Sequence, residues 1–165
     1  GALLVALSYT LVGHSLGDPR WLLAVLVCVH LLAGAFWVGA LAPLHRAAGL
    51  SDGAALLHHF GIIASGTVTV LVIVGLTFAL LMIGSVGALF GTAYGWTLIT
   101  KLVVVAGLLG LATKNKLRLV PALASGDSSA TDKLRRSICL ESIAVGLILL
   151  VTSTMTLITT PPVNL

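Results

Sequence analysis

The chain has 165 residues, of which 58% are hydrophobic and 8% charged, and its mean hydropathy is +1.15. Soluble domains carry roughly 25% charged residues, so this composition excludes a water-covered globule and implies an integral membrane protein. The net charge of +4 and pI near 9.5 do not indicate nucleic acid, because the basic residues cluster at one membrane edge, as topology signals do.

Apolar segments at about 1–13, 21–44, 60–83, 96–113 and 138–160 predict an all-α, polytopic transmembrane bundle of about five helices in a single domain over 1–165. They are too long and too continuous for the alternating strands of a barrel. The first stretch, Ala2 to Val12, would rise only about 17 Å as a helix against a hydrocarbon core about 30 Å thick. It is expected to be a truncated spanning helix with more protein upstream. No basic region or small-residue cleavage site marks it as a secretory signal.

His14-Ser-Leu-Gly-Asp-Pro-Arg20 joins the first two helices and Gly49-Leu-Ser-Asp-Gly53 lies between the second and third. The charge-free 85–95 connection carries Gly87, Gly91 and Gly95 as turn residues. Pro121 to Asp132 precedes the last helix, with a helix start expected around Ser128 to Thr131. Lys114, Lys116, Arg118, Lys133, Arg135 and Arg136, six of the nine basic residues, surround that connection. By the positive-inside rule it is cytoplasmic. Alternation then puts His45, Arg46, His58 and His59 inside, and His14, the 85–95 connection and the C-terminal Pro161-Pro-Val-Asn-Leu165 outside. Cys28 and Cys139 are expected at different depths, so no disulfide is expected, and no Cys-x-x-Cys pair offers a zinc site.

His30 sits about 13 Å along its helix, counting nine residues from Trp21. A histidine there is costly without a partner, water or a metal, which makes it a functional hypothesis by default. It could bind a metal, ligate a haem iron, relay a proton, or simply donate to a neighbouring helix. Met82 and Met155, the chain's two methionines, are expected at a depth similar to His14 near the outer face. Thioether and imidazole suit Cu(I); packing is the plainer alternative. Lys101 is expected to snorkel outward past Trp96 and Tyr94 as interfacial anchors. Glu141 is expected to pair with Arg135, Arg136, Lys114 or Lys116. Adjacent His58 and His59 diverge by about 100° on a helix and should not share an ion. The hydroxyls from Thr152 to Thr160 should bond back to their helix or to neighbours. Gly34 and Gly39 should admit a close backbone beside Trp37. No nucleophile triad, phosphate loop or Glu-x-x-His motif is present, so no enzyme is expected.

Several segments in order resemble the CopD family of bacterial copper-resistance inner-membrane proteins. They are Gly13-His14, His30-Leu-Leu-Ala-Gly-Ala-Phe-Trp-Val-Gly-Ala-Leu41, His59-Phe60-Gly61, Gly75-Leu-Thr, and Thr92-Ala-Tyr-Gly-Trp96 leading to Lys101-Leu102. Asn115-Lys-Leu-Arg118 with Pro121, Leu134-Arg-Arg136 with Glu141, and Pro161-Pro162 complete the set. Gly61 departs from a serine usual in the family. The resemblance implies a protein of about eight transmembrane helices, of which this chain corresponds to the C-terminal five. It also implies copper transport or tolerance at the periplasmic side of the bacterial inner membrane, with a periplasmic copper-binding protein or other membrane subunits as partners. Candidate metal residues are then His30, His14, Met82 and Met155. Two alternatives stay open: a haem-b-binding protein with His30 as axial ligand, and a silent structural subunit of a larger membrane complex.

Overall fold

A computed structural model describes residues 20–157. All regular structure among the described residues is helical: α1 (Arg20–Ala47), α2 (Gly53–Ile83), α3 (Val86–Gly91), α4 (Ala93–Lys114), a π-helical turn (Asn115–Leu119), α5 (Val120–Ala124) and α6 (Ala130–Leu157). Four stretches, Trp21–Ala47, Gly53–Ile83, Ala93–Ala124 and Ala130–Met155, are long and apolar enough to cross a membrane. At most 17% of each apolar window is buried inside the bundle, which leaves apolar flanks such as Ile62, Ile73, Val103 and Leu149 exposed for lipid. The chain is an all-α, multi-pass membrane protein. The expected helix over 1–13, His14 and the C-terminal tail lie outside the described residues.

The helices are longer than hydropathy alone indicates. The second begins at Gly53, not near 60, so His58 and His59 ride on its first two turns. Gly53 permits the preceding tight turn, because a Cβ there would lie 2.0 Å from the Ala47 carbonyl oxygen. Residues 114–124, expected as connection, continue α4 through the π-helical turn into α5. Lysine, arginine and leucine are good helix formers, and Pro121, which has no N–H to give, follows directly on the π-helical turn near the start of α5. The last helix starts at Ala130, within the expected Ser128 to Thr131 window but ahead of the apolar segment, because its first turns are polar.

The short α3 fills the 85–95 connection. Ser85 caps it by accepting from the Ala88 amide at 3.2 Å, and Thr92 caps α4 by accepting from the Gly95 amide at 3.0 Å. Each cap satisfies an otherwise orphaned helix donor. At the opposite end Asp127 accepts from the Ser129 amide at 2.8 Å and its hydroxyl at 2.7 Å. Those bonds hold the Asp127 carboxyl below the usual carboxylate range.

Two buried clusters mark the ends of the bundle. Trp37, Leu41, Ala48, Leu57, Leu119, Val120, Leu134 and Ile138 pack at the basic end. Leu23, Met82, Ile83, Tyr94, Leu98 and Met155 pack at the other. A seven-residue spacing connects them, since it returns a helical residue to nearly the same face. On α1 the seam runs Leu23, His30, Trp37, Leu44; on α2, Met82, Gly75, Val68, Gly61. On α4 it runs Tyr94, Lys101, Leu108, Asn115, and on α6, Met155, Ile148, Glu141, Leu134. The alternating helix directions stack these positions as four interior layers about 10 Å apart. Along these seams Tyr94, Asn115 and Glu141 are buried, and His30 and Lys101 are half-buried.

Candidate functional site

The layer at the methionine end holds Leu23, Met82, Tyr94 and Met155 in one buried cluster, with Met82 2% and Met155 7% exposed. Met82 from α2 and Met155 from α6 thus belong to the same buried cluster. Tyr94 is buried with them and does not serve as the expected interfacial anchor; Trp96 is exposed and donates its indole N–H to the Phe90 carbonyl at 3.1 Å.

One layer deeper, His30 faces Gly75. A Cβ on Gly75 would lie 2.9 Å from His30 Cε1 and 3.3 Å from Nδ1, so only glycine leaves the ring its place. His30 Nδ1 is buried and has no hydrogen-bond partner, while the ring lies within reach of the Leu71 backbone. Lys101 is half-buried in the same layer, near enough for its charge to act on His30. Its partial burial and its effect on His30 differ from the expected course outward past the aromatic residues, of which Tyr94 is itself buried. A seven-residue seam explains the difference: Lys101 lies directly below Tyr94. The close approach falls at Gly75, whereas Gly34 and Gly39 have nothing within 4 Å of a Cβ.

His30 and the methionine pair are a layer apart, about 10 Å along the helices, so they cannot share one coordination sphere. His14 lies outside the described residues. Among the described residues no group of three or more His, Cys, Asp and Glu could hold a metal ion. No disulfide joins Cys28 and Cys139. His58 and His59 rings stand 6.0 Å apart and perpendicular, and His59 Nδ1 is 2.9 Å from the Ala55 carbonyl. Thr152, Ser153 and Thr154 bond back to the carbonyls of Ile148, Leu149 and Leu150 at 2.7, 2.9 and 3.1 Å.

Toward the basic end, Glu141 is 5% exposed and Asn115 8% exposed. Asn115 Nδ2 donates to Glu141 Oε1 at 2.6 Å, and the Trp37 side chain lies beside the same carboxyl. This corrects the expected ion pair. Arg135 instead packs its guanidinium against Gly49 and directs Nε to the His45 carbonyl at 3.4 Å, at the C-terminus of α1. Lys116 lays its stem over Gly61 and donates to the Ser65 hydroxyl, while Lys114, Arg118 and Arg136 are exposed. Asn115 was not expected to matter. The π-helical turn that opens on it buries Asn115 and Leu119 and leaves Lys116 and Arg118 outward; such turns recur at functional sites.

A family model described as copper resistance protein D matches residues 54–155. That segment takes in Gly75, Met82, Lys101, Asn115, Glu141 and Met155, and leaves α1 with His30 outside it. No curated protein and no solved structure matches the chain.

Proposed function

The chain belongs to the copper resistance protein D family, and on that footing we propose that it carries copper through the bundle by way of His30. The observation that carries this reading is the His30 imidazole, whose buried Nδ1 makes no hydrogen bond of ordinary geometry and has only the Leu71 backbone within reach, one layer below two thioethers. A soft ion would be collected at Met82 and Met155 and passed to His30. Thioether and imidazole both suit Cu(I), and sites with few ligands release an ion as readily as they take it. His14 would add a further ligand at the methionine end. Copper is the cargo; no haem is needed by this reading.

The family and the charge pattern together favour a bacterial inner membrane, with the basic end cytoplasmic by the positive-inside rule. The methionine end would then face the periplasm and receive copper from a periplasmic binding protein. Other membrane subunits would pack on the exposed apolar flanks. Copper titration of the purified chain in lipid, alongside His30→Ala and the double variant Met82→Leu/Met155→Leu, tests the proposal. His30→Ala should abolish retention of copper in the interior, and the double methionine variant should weaken capture. Unchanged binding in His30→Ala would overturn it.

A further inference from the structure

Glu141 is the chain's one glutamate, and it occupies an interior seam position about 21 Å from Met155 along α6, counting fourteen residues. Its carboxyl is held by neutral groups alone: the Asn115 amide at 2.6 Å and the neighbouring Trp37. Two more oxygens in the same region, Asn115 Oδ1 and Ser137 Oγ, are buried and have no partner. Ser137 lies one turn before Glu141 and is 5% exposed. Buried polar groups are ordinarily hydrogen-bonded, so two unpaired oxygens beside a carboxyl without a counter-ion are an incomplete site.

Among the described residues the contacts recorded for the Glu141 carboxyl are Asn115 and Trp37; on α4 Lys101 lies at the His30 level and Lys114 is exposed, as are Arg118 of the π-helical turn and Arg136 of α6. From α1, Trp37 faces the carboxyl; His45 and Arg46 line a groove of about 430 Å³ that also reaches Ile138, Cys139 and Ser142. On α2 the titratable residues are His58 and His59, both in its first two turns, and Lys116 of the π-helical turn reaches across to Ser65. From the π-helical turn comes Asn115, and on α6 Arg135 turns back to the α1 terminus. An ionised carboxylate so placed is costly, whereas a protonated one is not. The protonated form also offers an O–H to acceptors that lack a donor. After the proton leaves, the Asn115 N–H remains to support the charge.

We propose that Glu141, Asn115 and Ser137 form a proton-binding site that unloads toward the basic face as copper occupies the His30 layer. The step is the transfer of the Glu141 O–H proton to a water molecule reaching it from the basic face, leaving the carboxylate and a hydronium ion, with no electron transferred. A cation arriving one layer away favours that loss, because the carboxylate then offsets its charge. The coupling rests on the copper reading; the proton site does not.

Infrared pH titration of the full chain in lipid, without copper, decides the site. The wild type should show the C=O band of a protonated carboxylic acid, sensitive to deuterium, that is lost in Glu141→Gln. A band that persists in Glu141→Gln, or a wild type lacking one, overturns the site. Asn115→Ala, which keeps the carboxyl, should move the band's midpoint by about one to two pH units; an unmoved midpoint counts against the site even where Glu141→Gln fails to fold. A pH-sensitive dye then reads the coupling: Cu(I) added to wild-type vesicles should release protons, and Glu141→Gln should bind copper without doing so. Equal release from both overturns the coupling. A wild type that binds no copper overturns the copper reading and the coupling together, while the infrared band still decides the proton site.

Discussion

Substituting Gly75 with alanine tests the interior site without removing a candidate ligand. The added Cβ would lie 2.9 Å from His30 Cε1, whereas carbon atoms pack at about 3.5 Å, so the ring must move by about 0.6 Å. The ring is the end of a side chain with two rotatable bonds, and it can swing rather than force the helices apart. Alanine also gains about 1 kcal/mol of helix propensity over glycine, against a crowding cost of about 1–3 kcal/mol. Stability should therefore change by no more than about 2 kcal/mol. Copper binding should suffer more, because ligand distances tolerate only about 0.2 Å. The expected loss is about 5- to 150-fold in Kd, the binding equivalent of that crowding cost. The assay is copper titration against a competing chelator, with thermal unfolding in parallel. Gly66→Ala serves as control, since nothing lies within 4 Å of its Cβ. The effect of Gly75→Ala should vanish in a His30→Ala background. A folded Gly75→Ala protein that binds copper like the wild type would refute the reasoning.

Lys101→Leu should tighten copper binding roughly 15-fold, since a cation on the order of 10 Å from the ion costs about 1.7 kcal/mol at an effective dielectric near 20; the same titration checks it, and weaker binding would contradict it. Gly95→Ala should destabilise the α3–α4 turn by about 1–3 kcal/mol or more, because its Cβ would lie 2.1 Å from the Leu89 carbonyl oxygen. Gly34→Ala, which meets nothing, should be neutral or gain up to about 1 kcal/mol; thermal unfolding in one detergent compares the two. The Asp127 carboxyl sits below its ordinary value through its bonds from Ser129, so the turn it ties is supported at neutral pH and loosens as pH falls through the lowered value. The Ser129 amide signal in an NMR titration should shift with a midpoint below the ordinary aspartate range, and Asp127→Asn should abolish that shift.

The spans were legible because hydropathy needs only composition and length, and lysines and arginines mark the end to which they belong. The helix ends were less so: polar turns such as 53–59 and 130–137 look like connection to a hydropathy reading but fold as helix once they leave the hydrocarbon. His30 stood out because histidine is rare in an apolar run. Its neighbour Gly75 did not, since glycine in a helix carries no signal of what lies opposite. The partner of Glu141 was misjudged because charge suggested the nearby basic residues, while the π-helical turn, with no sequence mark of its own, turns Asn115 inward and Lys116 outward. The seven-residue spacing of Tyr94, Lys101, Leu108 and Asn115 was present in the sequence. It acquires meaning only when the other helices supply their matching layers.

X-ray absorption at the copper edge, on the chain loaded with Cu(I) in lipid, addresses the central claim most directly. Imidazole scattering around the metal should be present in the wild type, clearly reduced in His30→Ala, and weakened or distorted in Gly75→Ala. A copper environment identical in wild type and His30→Ala would contradict the assignment of His30 as the interior copper ligand.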